Sequence, residues 1–349
     1  MIRLGIIGTG GMAHSHARAF SGLRGVKVVA ACDVVDAKVR EFCDTFAIPA
    51  GYTGFESMLR DTDLDAVSVV TTDAAHAPAS LAAIRAGKHV LCEKPLAVNY
   101  PDARKMAREA ARRKVINMVN FSYRNAPAIH KAHAMVRAGD IGTPMHVEAS
   151  YLQCWLACDV WGDWRTNDSL LWRLSTRHGS KGALGDIGVH ILDFASYPVG
   201  DIARLHCRLK TFPKDTGKRL GEYVLDANDS AIISLEFKNG ALGTVTTTRW
   251  ATGQANSLLL AIFGDKGAIR IDLDDAYDTL RFCRGTDGVA TLSNWKTVKC
   301  PKTPSIYKRF IRSIQTGAND QPDFSRGARI QKALDCCFVS DAEDRTVNV

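Results

Sequence analysis

No apolar run in the 349 residues approaches the length of a membrane span, which excludes a transmembrane helix as an organising element. An export signal is equally missing: Met1-Ile2-Arg3-Leu4-Gly5 enters a strand pattern at once and leaves no room for one, so a cytoplasmic protein is expected. Paired cysteine spacing is lacking too. The ten cysteines are scattered, and they read as reduced thiols used as small core residues. Cys154 and Cys158 are four apart, but no second pair or nearby histidine completes a zinc set, so no metal is expected. Basic residues give a net charge of +8 without clustering in an arm or on one helix face. Their densest run, 104–114, also carries Glu109 and suits a solvated helix face. Neither a nucleic-acid nor a membrane partner is expected, although a basic chain favours anionic ligands such as a dinucleotide. Internal repeats and low-complexity linkers are absent.

What is present is an ordinary globular composition, 46% hydrophobic and 23% charged, long enough for two cores. The first third alternates short apolar strands with helical stretches, the pattern of a parallel sheet flanked by helices. Strands are expected at Ile2–Ile7, Val26–Cys32, 66–70, 88–92 and 115–119, with helices at 11–22, 37–46 and 102–113. Pro78 suits the first turn of a further helix that Gly87 ends. Beyond about residue 121 a helix at 127–138 leads into longer alternating strands at 145–152, 203–211, 231–237, 242–250, 258–263 and 268–271. Asn239-Gly240 signals a two-residue hairpin between two of them. Two helices, 305–316 and 327–342, close the chain. The expected architecture is an α/β Rossmann domain over residues 1–121, then an α+β domain over 122–349 with a large, mainly antiparallel open sheet. The closing helices are free to pack back on the first domain.

Gly8-Thr9-Gly10-Gly11-Met12-Ala13 follows a strand and opens a helix, as the dinucleotide fingerprint requires. Gly8 permits a tight turn, Gly10 lets backbone approach a pyrophosphate, and Ala13 lets the helix pack on the sheet. The helix N-terminus offers amides to the phosphates. Asp33, twenty residues beyond Ala13, would accept bonds from the adenosine ribose and repel a 2′-phosphate. No arginine stands beside it, so NAD is favoured, with NADP the alternative cofactor. Thr71, Thr72 and His76 follow the next strand, whose C-terminal end should line the ligand crevice. His76 reads equally as a cofactor contact or as an exposed polar residue at a helix start.

In His89-Val90-Leu91-Cys92-Glu93-Lys94-Pro95 a buried strand breaks at two charges and a proline. Lys94 on that rim can polarise a substrate hydroxyl or carbonyl, with Pro95 fixing the backbone, through a cis bond if one forms. Glu93 would pair with a neighbour or reach the nicotinamide ribose. Further on, Asp186 and His190 are four apart and share a helix face that Ile187, Ile191 and Phe194 anchor in the core. A histidine oriented by a carboxylate suits proton transfer.

These residues resemble the glucose–fructose oxidoreductase, inositol dehydrogenase and rhizopine-catabolism (Gfo/Idh/MocA) family. The resemblance covers essentially the whole chain. It rests on the 8–13 turn, on AIRAGKHVLCEKPLA at 83–97, on YRNAPAI and GDIG near the domain junction, and on LGDIGVHILDF at 184–194. It implies a Rossmann domain, a second domain whose open sheet mediates homodimers or homotetramers, and Lys94, Asp186 and His190 around the reacting carbon. Substrates implied are sugars, cyclitols and their derivatives.

Four tryptophans, Trp155, Trp161, Trp164 and Trp172, lie in one segment among Arg165, Arg173, Arg177, Asp163 and Asp168. Aromatic faces suit sugar rings and the charged groups suit hydroxyls. Trp164 and Arg165 are the expected contacts, joined by Tyr123 and Arg124. His130 and His133 read as surface residues. The function expected is oxidation of a secondary hydroxyl of a sugar or cyclitol by hydride transfer to NAD. Two other readings are an NADP-linked keto-sugar reductase and a non-catalytic dinucleotide sensor. A sensor has no need of a proton shuttle, which the Lys94, Asp186 and His190 set provides.

Overall fold

The computed structural model describes residues 1–285 and 294–349. The chain divides into two compact units: Met1–Ser122 with Pro304–Gln331, and Tyr123–Thr303 with Lys332–Val349.

The first unit holds a six-stranded parallel sheet. Its strands are β1 (Ile2–Ile7), β2 (Val26–Cys32), β3 (Ala50–Tyr52), β4 (Ala66–Val69), β5 (His89–Cys92) and β6 (Asn117–Val119). Their order is β3-β2-β1-β4-β5-β6, so the chain reverses direction across the sheet between β1 and β4. Helices α1 (Gly11–Ser21), α2 (Asp36–Phe46), α3 (Phe55–Asp61), α4 (Asp73–Arg85) and α5 (Tyr100–Arg113) make the crossovers. The strands read as continuous apolar runs because both faces are covered. Leu4, Ile6, Val28, Ala31, Ala66 and Leu91 pack against Ala13, Ala17, Phe20 and Phe42, and Phe310 of the helix Ile306–Thr316 joins them. Two expectations are corrected. A further strand and helix, β3 and α3, stand between α2 and β4. Pro78 lies in the middle of α4, which begins five residues earlier at Asp73.

The second unit carries α6 (Pro127–Arg137) and α8 (Val189–Val199) against a nine-stranded sheet, and a short α7 (Asp168–Leu171) in a separate apolar cluster. The sheet strands are β7 (Pro144–Leu152), β8 (Ile202–Lys210), β11 (Ser230–Phe237), β12 (Leu242–Thr248), β13 (Ser257–Gly264), β14 (Gly267–Asp272), β15 (Thr279–Arg284), β16 (Trp295–Lys299) and β17 (Val347–Asn348). A small ribbon, β9 (Arg219–Leu220) with β10 (Tyr223–Val224), stands apart. The order is β16-β15-β14-β13-β7-β12-β11-β8-β17. All pairs are antiparallel except β7 with β12. That parallel pair brings the C-terminal ends of β7 and β12 side by side, with Leu152 opposite Thr248. The turn at Asn239-Gly240 is a three-residue loop rather than the expected two. Phe237 N–H donates to Ala241 across it at 2.9 Å, and Gly240 supplies the left-handed conformation, φ +88°, that closes such a loop.

Candidate functional site

In the first unit the glycine turn is shaped for a close neighbour. Gly8 has φ +98°, and a Cβ there would lie 2.4 Å from the Val70 carbonyl oxygen, so no other residue fits. Beyond Gly10 and Gly11 a Cβ would meet nothing within 4 Å. No side chain caps α1, whose first turn carries no acidic residue and includes the exposed Met12. Asp33 ties the turn to the end of β2: its carboxylate accepts from Thr9 N–H at 2.9 Å and from Val35 N–H at 3.1 Å. Thr9 Oγ1 is buried without a hydrogen-bond partner among the described residues. An uncapped helix start, open space over two glycines and an orphaned hydroxyl fit a dinucleotide diphosphate. Thr71 and Thr72 follow β4, and Thr72 stands just before α4.

His76 is not the exposed helix-start residue. It is buried, its Nδ1 donates to the Pro95 carbonyl at 2.7 Å, and its Nε2 lies 3.2 Å from the Thr71 carbonyl oxygen.

Lys94 is half-buried at the end of β5, and the Lys94–Pro95 bond is cis. Glu93 pairs with neighbouring groups, one of its two expected roles, and is only 7% exposed. Its Oε1 accepts from His16 Nε2 at 2.8 Å and from Asn120 Nδ2, while its Oε2 accepts from Lys94 N–H at 3.1 Å. Ser68 Oγ stands 2.7 Å from His16 Nδ1. Burial pushes the Glu93 carboxyl up, but the bond and charge of His16, the Asn120 bond and the Lys94 charge outweigh it, holding the pKa at about 2.

In the second unit, His190 sits on α8 and Asp186 in the π-helical turn Leu184–Gly188 that precedes it. Asn228 fixes the start of this segment. Its Oδ1 accepts from Leu184 N–H at 2.9 Å and its Nδ2 donates to the Lys181 carbonyl at 3.0 Å. The expected common helix face is altered by the wider π turn, and the Asp186 carboxylate is held by arginines. Arg249, fully buried just beyond β12, donates from Nη2 to Asp186 Oδ2 at 3.2 Å, and Arg173 Nε stands 3.5 Å from the same oxygen. Arg249 Nη1 also donates to the Arg173 carbonyl, and its guanidinium lies 4.9 Å from the Trp155 ring. Burial lowers the pKa of Arg249, opposed by the charge of Asp186.

His190 is flanked by two phenol rings, Tyr123 edge-on at 5.1 Å and Tyr151 at 6.3 Å between centroids. Tyr123 OH lies 2.5 Å from Tyr151 OH, Tyr151 OH donates to Asn256 Oδ1 at 2.8 Å, and Asn256 Nδ2 donates to Tyr123 OH at 3.0 Å. Gln153 Nε2 donates to Asn256 Oδ1, and Trp155 Nε1 donates to Gln153 Oε1. Burial pushes the Tyr151 phenol pKa strongly up, helped by Tyr123 and Asp186, so this hydroxyl stays neutral.

Tyr151, Gln153, Asn256 and Arg249 escaped the sequence reading. A signal existed: Val147, Ala149, Tyr151 and Gln153 continue one inward alternation along β7, and Val245, Thr247 and Arg249 do so along β12. Polar residues replacing apolar ones at the shared end of two strands mark a site.

Two expected substrate contacts, Arg124 and Trp164, are corrected by their burial, and Arg165 is engaged in ion pairs. Arg124 is buried in a bidentate pair with Asp193 of α8, at 2.6 and 2.8 Å, and stacks 3.4 Å over the Tyr197 ring. Trp164 is 1% exposed within an apolar cluster of Trp155, Leu156, Leu170, Leu171, Leu174 and Leu225. Arg165 is committed to Asp163 at 3.0 Å and Asp215 at 2.6 Å. His130 and His133 are not loose surface groups either. His133 stacks on Tyr197 at 4.2 Å, and His130 Nε2 donates to the Arg124 carbonyl. Among the described residues no cluster of three or more His, Cys, Asp or Glu could hold a metal ion, and no helix is long and apolar enough to cross a membrane.

Comparison with known proteins agrees with this geometry. The profile of the oxidoreductase family with an NAD-binding Rossmann fold matches residues 2–121, and that of the GFO/IDH/MocA C-terminal domain matches residues 129–270. Levoglucosan dehydrogenase of Pseudarthrobacter phenanthrenivorans is 30% identical, the alignment covering 100% of this chain and 98% of that protein. D-apiose dehydrogenase of Paraburkholderia graminis is 26% identical over 99% of this chain and 88% of its own length. A solved levoglucosan dehydrogenase in complex with NADH and levoglucosan superposes with a TM-score of 0.87 at 26% identity, covering 100% of this chain and 99% of that one.

Proposed function

This chain belongs to the Gfo/Idh/MocA family of NAD-dependent oxidoreductases, and from that premise we propose that it oxidises a secondary hydroxyl of a sugar, an anhydrosugar or a cyclitol. The observation that carries the substrate class is the full-length likeness to the levoglucosan dehydrogenase solved with NADH and levoglucosan. Gly8, Thr9, Gly10, Gly11, Met12, Asp33, Thr71 and Thr72 would hold the cofactor. When bound, NAD supplies the hydride acceptor. His190 takes the hydroxyl proton; its position between the Tyr123 and Tyr151 rings supports that role. Lys94 stabilises the negative charge that develops on the oxygen, and its half-buried place at a strand end makes that charge effective. Asp186, gripped by Arg249 and Arg173, serves as a fixed acceptor for a substrate hydroxyl. Tyr123 lies against the His190 ring and offers its oxygen to a second hydroxyl.

The enzyme is cytoplasmic and works as a homodimer or homotetramer through the nine-stranded sheet. Exposed apolar Met145, Ile232 and Leu242 support that assembly. A screen of NAD and NADP reduction against levoglucosan, myo-inositol, apiose and simple polyols tests the reading. Reduction of NAD by at least one of these cyclic polyols is expected; reduction by none of them, with the cofactor bound, contradicts it.

A further inference from the structure

We propose that His76 is a positioning residue for Lys94, holding the Lys94–Pro95 segment from its C-terminal side while the Glu93 carboxylate holds it from the other. The inference rests on the reading that Lys94 meets the reacting oxygen, and it concerns only groups within the first unit.

Lys94 has a long, flexible side chain, so its charge is useful only if the backbone beneath it is fixed. Two contacts do this. Glu93 Oε2 accepts the Lys94 amide proton at 3.1 Å, and the same carboxylate is anchored by His16 and Asn120. One residue beyond Lys94, the Pro95 carbonyl accepts from His76 Nδ1 at 2.7 Å. Proline has no amide proton, so this carbonyl is the one backbone hydrogen-bonding group Pro95 offers. His76 in turn is seated by burial in α4, with Nε2 3.2 Å from the carbonyl of Thr71 at the end of β4. Seated in α4, the imidazole therefore ties the Lys94 loop to the helix that follows the adjacent strand β4 and its expected cofactor-lining threonines. Nothing in this arrangement needs His76 to touch substrate or cofactor.

The shape of the ring predicts which replacements preserve the link. Asparagine can place an amide nitrogen where Nδ1 stands; glutamine reaches the position of Nε2 instead. His76→Ala, His76→Asn and His76→Gln are compared with the wild type, each as the NAD-bound enzyme. Four quantities are read: the NAD dissociation constant, kcat and KM with levoglucosan, and the Lys94 signal in enzyme whose lysines carry 13C-methyl groups. Lys94→Arg assigns that signal. His76→Ala and His76→Gln are expected to lower kcat about 10²-fold, since a displacement near 1 Å costs that much. They also shift or broaden the Lys94 signal, with NAD affinity within about twofold, on the scale where 1.4 kcal/mol is tenfold. His76→Asn recovers both kcat and signal.

A Lys94 signal in His76→Ala that coincides with the wild type overturns the proposal, as does equal behaviour of the Asn and Gln variants. Failure of the underlying reading looks different: Lys94→Ala then keeps full turnover, while the signal still reports the link.

Discussion

Asp33 accepts two amide protons at once, which fixes its carboxylate before any ligand arrives. In the proposed role, a carboxylate held in this way would repel a 2′-phosphate without reorganising. Asp33→Ser keeps one acceptor for Thr9 N–H and removes the charge. The ratio of kcat/KM for NADP over NAD should rise about tenfold, corresponding to ~1.4 kcal/mol; an unchanged ratio would count against the ribose role. Glu93 makes a second residue-level prediction. Its folded pKa of about 2 lies below the ordinary 4.5, so its stabilisation is fully present above pH 4.5 and is lost as pH falls toward 2. The full shift corresponds to roughly 3 kcal/mol. Denaturant unfolding between those limits should show the wild type losing stability steeply, and Glu93→Gln should flatten the profile. Parallel profiles would mean that the carboxylate is not ionised inside the fold.

At the scale of elements, α8 carries His190 and is clamped to the turn after β6 by Arg124 and Asp193. Breaking a buried pair leaves an uncompensated charge, so Arg124→Met should destabilise by about 3–5 kcal/mol. Arg124→Met with Asp193→Leu should recover most of that in thermal unfolding; no recovery would show that the loss comes from packing alone. The elements differ in how legible they were. Ile2–Ile7 and Val26–Cys32 were readable to the residue because, apart from exposed Arg3 and Lys27 near their starts, the runs are apolar and mostly buried. β3 was not, since three residues with none buried carry no readable periodicity. β15 and β16 mix charged and apolar side chains near the sheet edge, which hides the alternation. The residues proposed for the chemistry, Lys94, Asp186 and His190, stood out because charge interrupted apolar runs. Arg124 misled because a guanidinium after a strand reads alike whether its partner is a ligand or Asp193, 69 residues away. Trp164 misled likewise: a dense tryptophan segment does not say which rings face inward.

At the scale of the whole molecule, each unit brings a separate competence. The first has a glycine turn and a carboxylate that fit a dinucleotide, and presents a lysine beyond the end of β5 on a hydrogen-bonded loop. The second presents a histidine between two phenols with an arginine-held carboxylate beside it in the chain. Neither alone constitutes a dehydrogenase of carbinols, and family membership joins the two. The most direct test is NADH formation from NAD and levoglucosan by the wild type, Lys94→Ala and His190→Ala, with NAD affinity measured in parallel. The account predicts turnover in the wild type and a loss of at least about 10²-fold in each variant, with NAD binding retained. Wild-type turnover in both variants would contradict it.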